Sequence, residues 1–239
     1  MRLFQWLKNY FYHSKTKKIL KISGTNNHVD YNPEDEKFLK LLEIKGNNNQ
    51  IKIHKMDGAS LGHLVLVIEG NNCKIEIKEN LFVGTNLTIR LGSSHQFMGA
   101  ISNAHCEIGK NVRIEEMCAC TYNSNNTISI GDNCLISLKV YLYNTDAHPI
   151  YDKSTGKLVN YVKDLIIGPN CWLGWNCSIL KGVSLPEGTI VGWGAVVTKS
   201  IDTSFCAIAG NPAKIVKRNL VWTTGPDTKY QQNDWGDAK

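Results

Sequence analysis

The stretch IGPNCWLGWNCSILKGVSLPEGTIVGWGAVV, residues 167–197, decides the fold. Ile167, Leu173, Ile179, Leu185, Val191 and Val197 recur in it at intervals of six. Three positions after the first five of these stand Asn170, Asn176, Gly182, Gly188 and Gly194. Four positions after them stand the smaller side chains of Cys171, Cys177, Val183, Thr189 and Ala195. Asparagine and glycine tolerate positive φ, so every sixth residue suits a corner. Three six-residue sides close a triangular coil of about 18 residues, with one aliphatic side chain per side pointing inwards. The same register runs through Ile108-Gly-Lys-Asn111-Val112 and Ile130-Gly-Asp-Asn133-Cys134.

Upstream, a longer phrase occurs three times, starting at Ile22, Ile44 and Ile68, each time with a Gly-Asn or Gly-Thr-Asn turn inside alternating strand residues. The copies start 22 and 24 residues apart, a spacing that belongs to a solenoid whose units cover one another's apolar faces. Between Leu142 and Leu165 the hexad register breaks. Asp146, Pro149, Asp152, Ser154 and Gly156 make this a loop thrown out from a corner, and loops on rigid scaffolds are where chemistry concentrates. After Val197 the repeat ends; residues 211–218 are expected to start a short helix, followed by a polar tail.

Composition narrows the function classes. The chain of 239 residues has a net charge of +6. Arg2, Lys8, Lys15, Lys17, Lys18 and Lys21 supply all of it, and the remainder is neutral. That argues against a broad nucleic-acid-binding face. Leu3, Phe4, Leu7, Tyr10 and Phe11 fall on one side of a helical wheel, so residues 1–21 read as a basic amphipathic helix. It either caps the end of the coil, the preferred reading, or lies in the headgroup region of an acidic membrane. Eight cysteines show no paired spacing; Cys118, Cys134, Cys171 and Cys177 are assigned to small-residue slots of the repeat. A reduced, cytoplasmic protein is expected, peripheral at the inner membrane face if the first helix binds lipid, with no spanning segment and no secretory signal.

Together these readings divide the chain into a basic helix (1–21), irregular coils (22–104), regular hexad coils carrying the loop 143–165 (105–205), and a C-terminal helix with its tail (206–239).

With the hexads and His148 in place, the chain resembles the left-handed parallel β-helix acetyltransferases, most closely the branch that O-acetylates bacterial cell-surface polysaccharides. The resemblance rests on the phrases beginning at Asp146, Asp164, Cys171, Ile179, Val196 and Ala209, within residues from about 105 to 222. Left-handedness comes from this resemblance alone, since parallel crossovers are otherwise nearly always right-handed.

The resemblance implies acetyl-CoA as donor, a sugar hydroxyl of a capsule or lipopolysaccharide chain as acceptor, no metal, and a homotrimer with its site between coils. Transfer to a hydroxyl needs a base, and histidine titrates close to working pH. His148 matches the family's catalytic histidine. Asp146, two residues away, is the first candidate to orient the ring; Asp152 or a backbone carbonyl are alternatives. Trp172 matches a tryptophan that helps to place acceptor and thioester, an aromatic wall suited to sugar C–H groups.

By their positions in the motifs, Gly174, Thr198, Lys199, Lys214 and Lys217 are candidates for coenzyme contacts. Trp175 and Trp193 stand where relatives carry small residues. At a separation of one coil they should stack on an outward face, lining the pantetheine channel or sealing a subunit interface. N-acetylation of an amino sugar nucleotide or another small acceptor is the rival reading. A third is a non-catalytic or metal-binding trimer, for which His148 lacks a histidine partner close in sequence.

Overall fold

A computed structural model describes residues 18–93 and 100–224 of the chain. The amphipathic helix expected before them lies outside the described residues. Within those, strands run parallel in successive coils, and the 3-10 segment Pro33–Phe38 is the helical element. The chain winds as a three-sided prism, a parallel β-helix.

The first face stacks seven strands, from His28–Tyr31 through Asn126–Ile130 to Ser184–Leu185. The second carries Leu135–Ile136, Trp172–Leu173, Ile190–Val191 and Cys206–Gly210; the third carries Val140–Tyr143, Ser178–Leu180 and Val196–Val197. In the earlier coils one long strand spans the second and third faces. Arg113–Thr121 pairs with Leu135–Ile136 at one end and with Val140–Tyr143 at the other.

Registry explains why the hexads build this shape. Ile53, Ile77, Ile108, Ile130, Ile167 and Leu185 face one another up the first side, coil upon coil, and all are buried. The three early phrases align as their spacing requires, Ile22 on Ile44 and Ile44 on Ile68. Each aliphatic side chain buried this way stabilises by roughly 1.5–3 kcal/mol, shared between neighbouring coils.

The corners are made by the expected residues. Asn170, Asn176, Gly182, Gly188 and Gly194 have φ of 56°, 58°, 73°, 69° and 66°. Asparagine does more than turn. At the corner between the first and second faces the Asn80 amide donates to Asn111 and the Asn111 amide to Asn133, at 2.9 and 3.1 Å. At the corner between the third and first faces Asn26, Asn48 and Asn72 form a similar ladder. Such ladders satisfy side-chain polar groups between coils.

Two expectations are corrected. Residues 211–218 form no helix: Ala213–Arg218 is a strand that folds back antiparallel on Cys206–Gly210. The last coil would otherwise leave a bare row of backbone donors and acceptors, and this strand pairs with it. Its burial alternates at first, with Ala213 and Ile215 half-buried and Lys214 and Val216 exposed, the period of a strand. Cys118 does not take an inward slot either. It pairs laterally with Tyr141 and Thr88 on the outward side of its strand and is half-buried, whereas Cys134, Cys171 and Cys177 are buried inside.

Candidate active site

The chain leaves the prism at the corner between the third and first faces, after Tyr143, and re-enters at Leu165. A buried polar knot marks the exit. Asn126 donates to the Thr121 hydroxyl at 2.9 Å, and that hydroxyl donates to the Asn144 carbonyl at 3.2 Å. At the return, the Asp164 carboxylate accepts the Thr127 amide at 2.8 Å.

Between these anchors a tight turn presents His148. The His148 amide donates to the Asp146 carbonyl at 2.7 Å, closing a three-residue turn around Ala147, whose φ is 61°. A non-glycine residue at the centre of such a turn is strained, and strain of this kind gathers where a side chain must be aimed.

Asn160 staples the turn from the far side of the loop. Its side chain donates to the His148 carbonyl at 2.8 Å and to the Asp146 carboxylate at 2.9 Å, and accepts the Ile150 amide at 2.8 Å. Lys181, from the next coil, forms an ion pair with the same carboxylate. Burial pushes the Asp146 carboxyl up, but the Lys181 and Asn160 hydrogen bonds outweigh it and hold the group below its ordinary value. A pocket of about 430 Å3 opens here, lined by His148, Asn160, Tyr161 and Lys181 together with Asn123 and Asn125.

In this structure Asp146 makes no contact with the His148 ring. One carboxylate oxygen, Oδ2, meets both Lys181 and Asn160, and the exposed His148 ring makes no hydrogen bond among the described residues. Asn160 links this carboxylate to the His148 carbonyl. Asp152 is a turn former: one carboxylate oxygen accepts both the amides and the hydroxyls of Ser154 and Thr155, which lowers its pKa to about 2. Asn160 and Lys181 were missed in the sequence reading. Lys181 precedes a corner glycine in the hexad pattern, a visible place, but what it meets depends on how the loop folds back.

The structure separates the remaining candidates. Trp172 lies on the second face, opposite the corner that holds His148, with its indole N–H donating to the Ser137 hydroxyl at 3.1 Å. Trp175 and Trp193 stack as their spacing requires, with ring centroids 4.8 Å apart and planes 19° apart, at the corner between the second and third faces. Gly174 has a packing reason of its own, because a Cβ there would stand 2.3 Å from the Val191 carbonyl oxygen. Thr198 and Lys199 follow the third face, one coil above Leu180 and Lys181, whereas Lys214 and Lys217 are exposed on the strand closing the second face. Among the described residues no cluster of metal-ligating side chains occurs.

Comparison with known proteins agrees with this architecture. The family model "Hexapeptide repeat of succinyl-transferase" matches residues 164–199. Polysialic acid O-acetyltransferase of Neisseria meningitidis is 34% identical over 165 residues, covering 68% of this chain and 77% of the relative. The polysialic acid O-acetyltransferase of Escherichia coli O1:K1 is 43% identical over 95 residues, a match that spans 31% of that relative and 40% of this chain. The crystal structure of the polysialic acid O-acetyltransferase OatWY superposes with a TM-score of 0.62 at 29% identity, covering 90% of this chain and 95% of that one. The chain belongs to the left-handed β-helix hexapeptide-repeat acetyltransferases, in the branch that contains the polysialic acid O-acetyltransferases.

Proposed function

We propose that this protein transfers acetyl from acetyl-CoA to a sugar hydroxyl of a bacterial cell-surface polysaccharide, with His148 as general base. The observation that carries the reading is an exposed imidazole, without a hydrogen bond among the described residues, on a turn stapled by Asn160 and bordering a pocket. The imidazole takes the hydroxyl proton as the oxygen attacks the thioester carbonyl. The C–O bond forms, the C–S bond breaks, and the proton passes to the departing thiolate. A backbone N–H is the donor available for the developing oxyanion. No cysteine stands beside His148, which favours direct transfer without an acetyl-enzyme.

His148 and Trp172 lie on opposite sides of one prism, so the complete site requires the loop of one copy against the second face of another. A homotrimer meets that requirement. In it, Gly174, Trp175, Trp193, Thr198 and Lys199 line the donor's groove, and Lys214 and Lys217 supply charge for its phosphates. The stacked Trp175 and Trp193 also suit a subunit seam. The enzyme works in the cytoplasm, where the donor is made. No helix of the described residues is long and apolar enough to cross a membrane. Flotation with acidic vesicles, with and without residues 1–17, tests whether the basic segment meets lipid.

The deciding experiment follows free thiol release with sialic acid polymer and with an amino sugar nucleotide as acceptors, for the wild type and His148→Ala. Turnover on the polymer that disappears in the variant supports the reading. Preference for the amino group of the nucleotide sugar overturns it. Sedimentation of the wild type as a monomer under assay conditions overturns the shared site.

A further inference from the structure

A second pocket is larger than the one beside His148. It lies at the corner between the first and second faces, has a volume of about 550 Å3, and continues from Trp172. The Trp172 and Trp222 rings stand 6.2 Å apart, and Trp222, which lines the pocket, is held by its indole N–H on the Asn170 carbonyl at 2.6 Å. Resting on the reading of the protein as a polysaccharide acetyltransferase, we propose that this pocket is a remote acceptor subsite. It binds a carboxylate-bearing sugar of the polymer next to the unit that is acetylated, and Arg113 reads the carboxylate.

Three observations support this. The Arg113 guanidinium lies 4.1 Å over the Phe82 ring and is exposed, with no hydrogen bond or ion pair from its side chain among the described residues. A guanidinium fixed by its face and free at its donor edge is prepared for bidentate capture of a planar anion. Beside it the Asn111–Asn133 amide ladder and the indole of Trp222 provide the mixed amide and aromatic lining that suits sugar hydroxyls and C–H faces.

The third observation is backbone strain. Phe205 occupies the next position of this corner, above Asn170 and Gly188, with φ of 54°. It is the one aromatic residue in the left-handed region among the described residues, where its predecessors on the corner are asparagine or glycine. A bulky side chain in that region costs strain, and such strain collects at ligand sites. The Phe205 ring lies across Gly188, where a Cβ would meet it at 2.5 Å, so the ring walls the pocket without filling it.

An anion could also come from the donor's phosphates, and the test separates the two. Binding of a sialic acid oligomer, of the same oligomer with its carboxylates reduced to alcohols, and of coenzyme A is measured by calorimetry on the full chain. A His148→Ala background makes the readout independent of turnover. Arg113→Gln should weaken the acidic oligomer at least tenfold, Arg113→Lys by less, and neither should move coenzyme A. The reduced oligomer should bind both parent and Arg113→Gln protein equally weakly.

The proposal is overturned if the acidic oligomer fails to bind, if Arg113→Gln leaves its affinity unchanged, or if coenzyme A affinity falls instead. Oligomer binding without acetyl transfer by the wild type would sink the polysaccharide reading of the function and leave the subsite standing. Transfer without an Arg113 effect would do the reverse.

Discussion

Residues 165–197 and residues 144–164 adjoin in the chain and obey different rules. In the coils each inward side chain repeats the one six residues before it, and Leu173, Ile179, Val191 and Val197 are at most 1% exposed. Neighbouring coils support one another through parallel ladders and apolar columns. In the loop almost nothing is buried. Its shape rests on single polar contacts: Asn160 on three partners, Lys181 on Asp146, and Asp152 on Ser154 and Thr155. Stability resides in the repeat, and aim resides in the interruption. A solenoid lets the two be changed independently, because a corner is able to carry an insertion without disturbing the ladders on either side.

That separation is open to direct attack. The largest effect should come from His148→Ala, which is expected to lower turnover by about 10²–10⁴-fold while leaving the melting temperature unchanged, since the ring has no hydrogen-bond partner among the described residues. A melting shift comparable to that of a core substitution would show that the loop is structural after all. The converse substitution, Leu173→Ala, removes a fully buried side chain and should cost about 2–5 kcal/mol in thermal or denaturant unfolding. At temperatures where the variant stays folded, kcat should fall by less than it does for His148→Ala.

Asn160→Ala deletes three hydrogen bonds to the histidine turn, and kcat is predicted to drop about tenfold with the KM for acetyl-CoA held. Equal loss in both parameters would refute a positioning role. The smallest effect concerns acid. Asp146 and Asp152 have depressed pKa values in the folded loop, that of Asp152 at about 2. Their contribution is present above the unfolded carboxyl value near about 4 and is lost as pH falls through the folded value. Hydrogen exchange should therefore show loop amides losing protection between pH about 4 and 2, before the hexad strands do. Simultaneous loss in both regions would show that loop and coils unfold as one unit.

How far the sequence could be read follows from the same division. The hexads, the corner residues, the stacked pair Trp175 and Trp193 and the place of the loop were legible, because period and φ tolerance are local properties. The strand Ala213–Arg218 was not, since pairing with the last coil outweighed a helical reading of residues 211–218. Neither was the commitment of Asp146. Closeness in sequence suggested a bond to the His148 ring, whereas Lys181, 35 positions further on, and Asn160 take the carboxylate. Ala147 carries no turn signal at all, yet it holds the strained φ that presents the histidine.

By itself, then, the sequence determined that this protein is a parallel three-sided solenoid with a histidine-bearing loop at one corner. Aliphatic residues at a fixed interval, with asparagine or glycine between them, have few other ways to bury their side chains and turn. Only the tertiary structure decided what surrounds that histidine, which side of the prism Trp172 occupies, and that Arg113, Phe205 and Trp222 share a pocket. Those contacts join residues from different coils and from an irregular loop, and no short-range rule of backbone geometry specifies them.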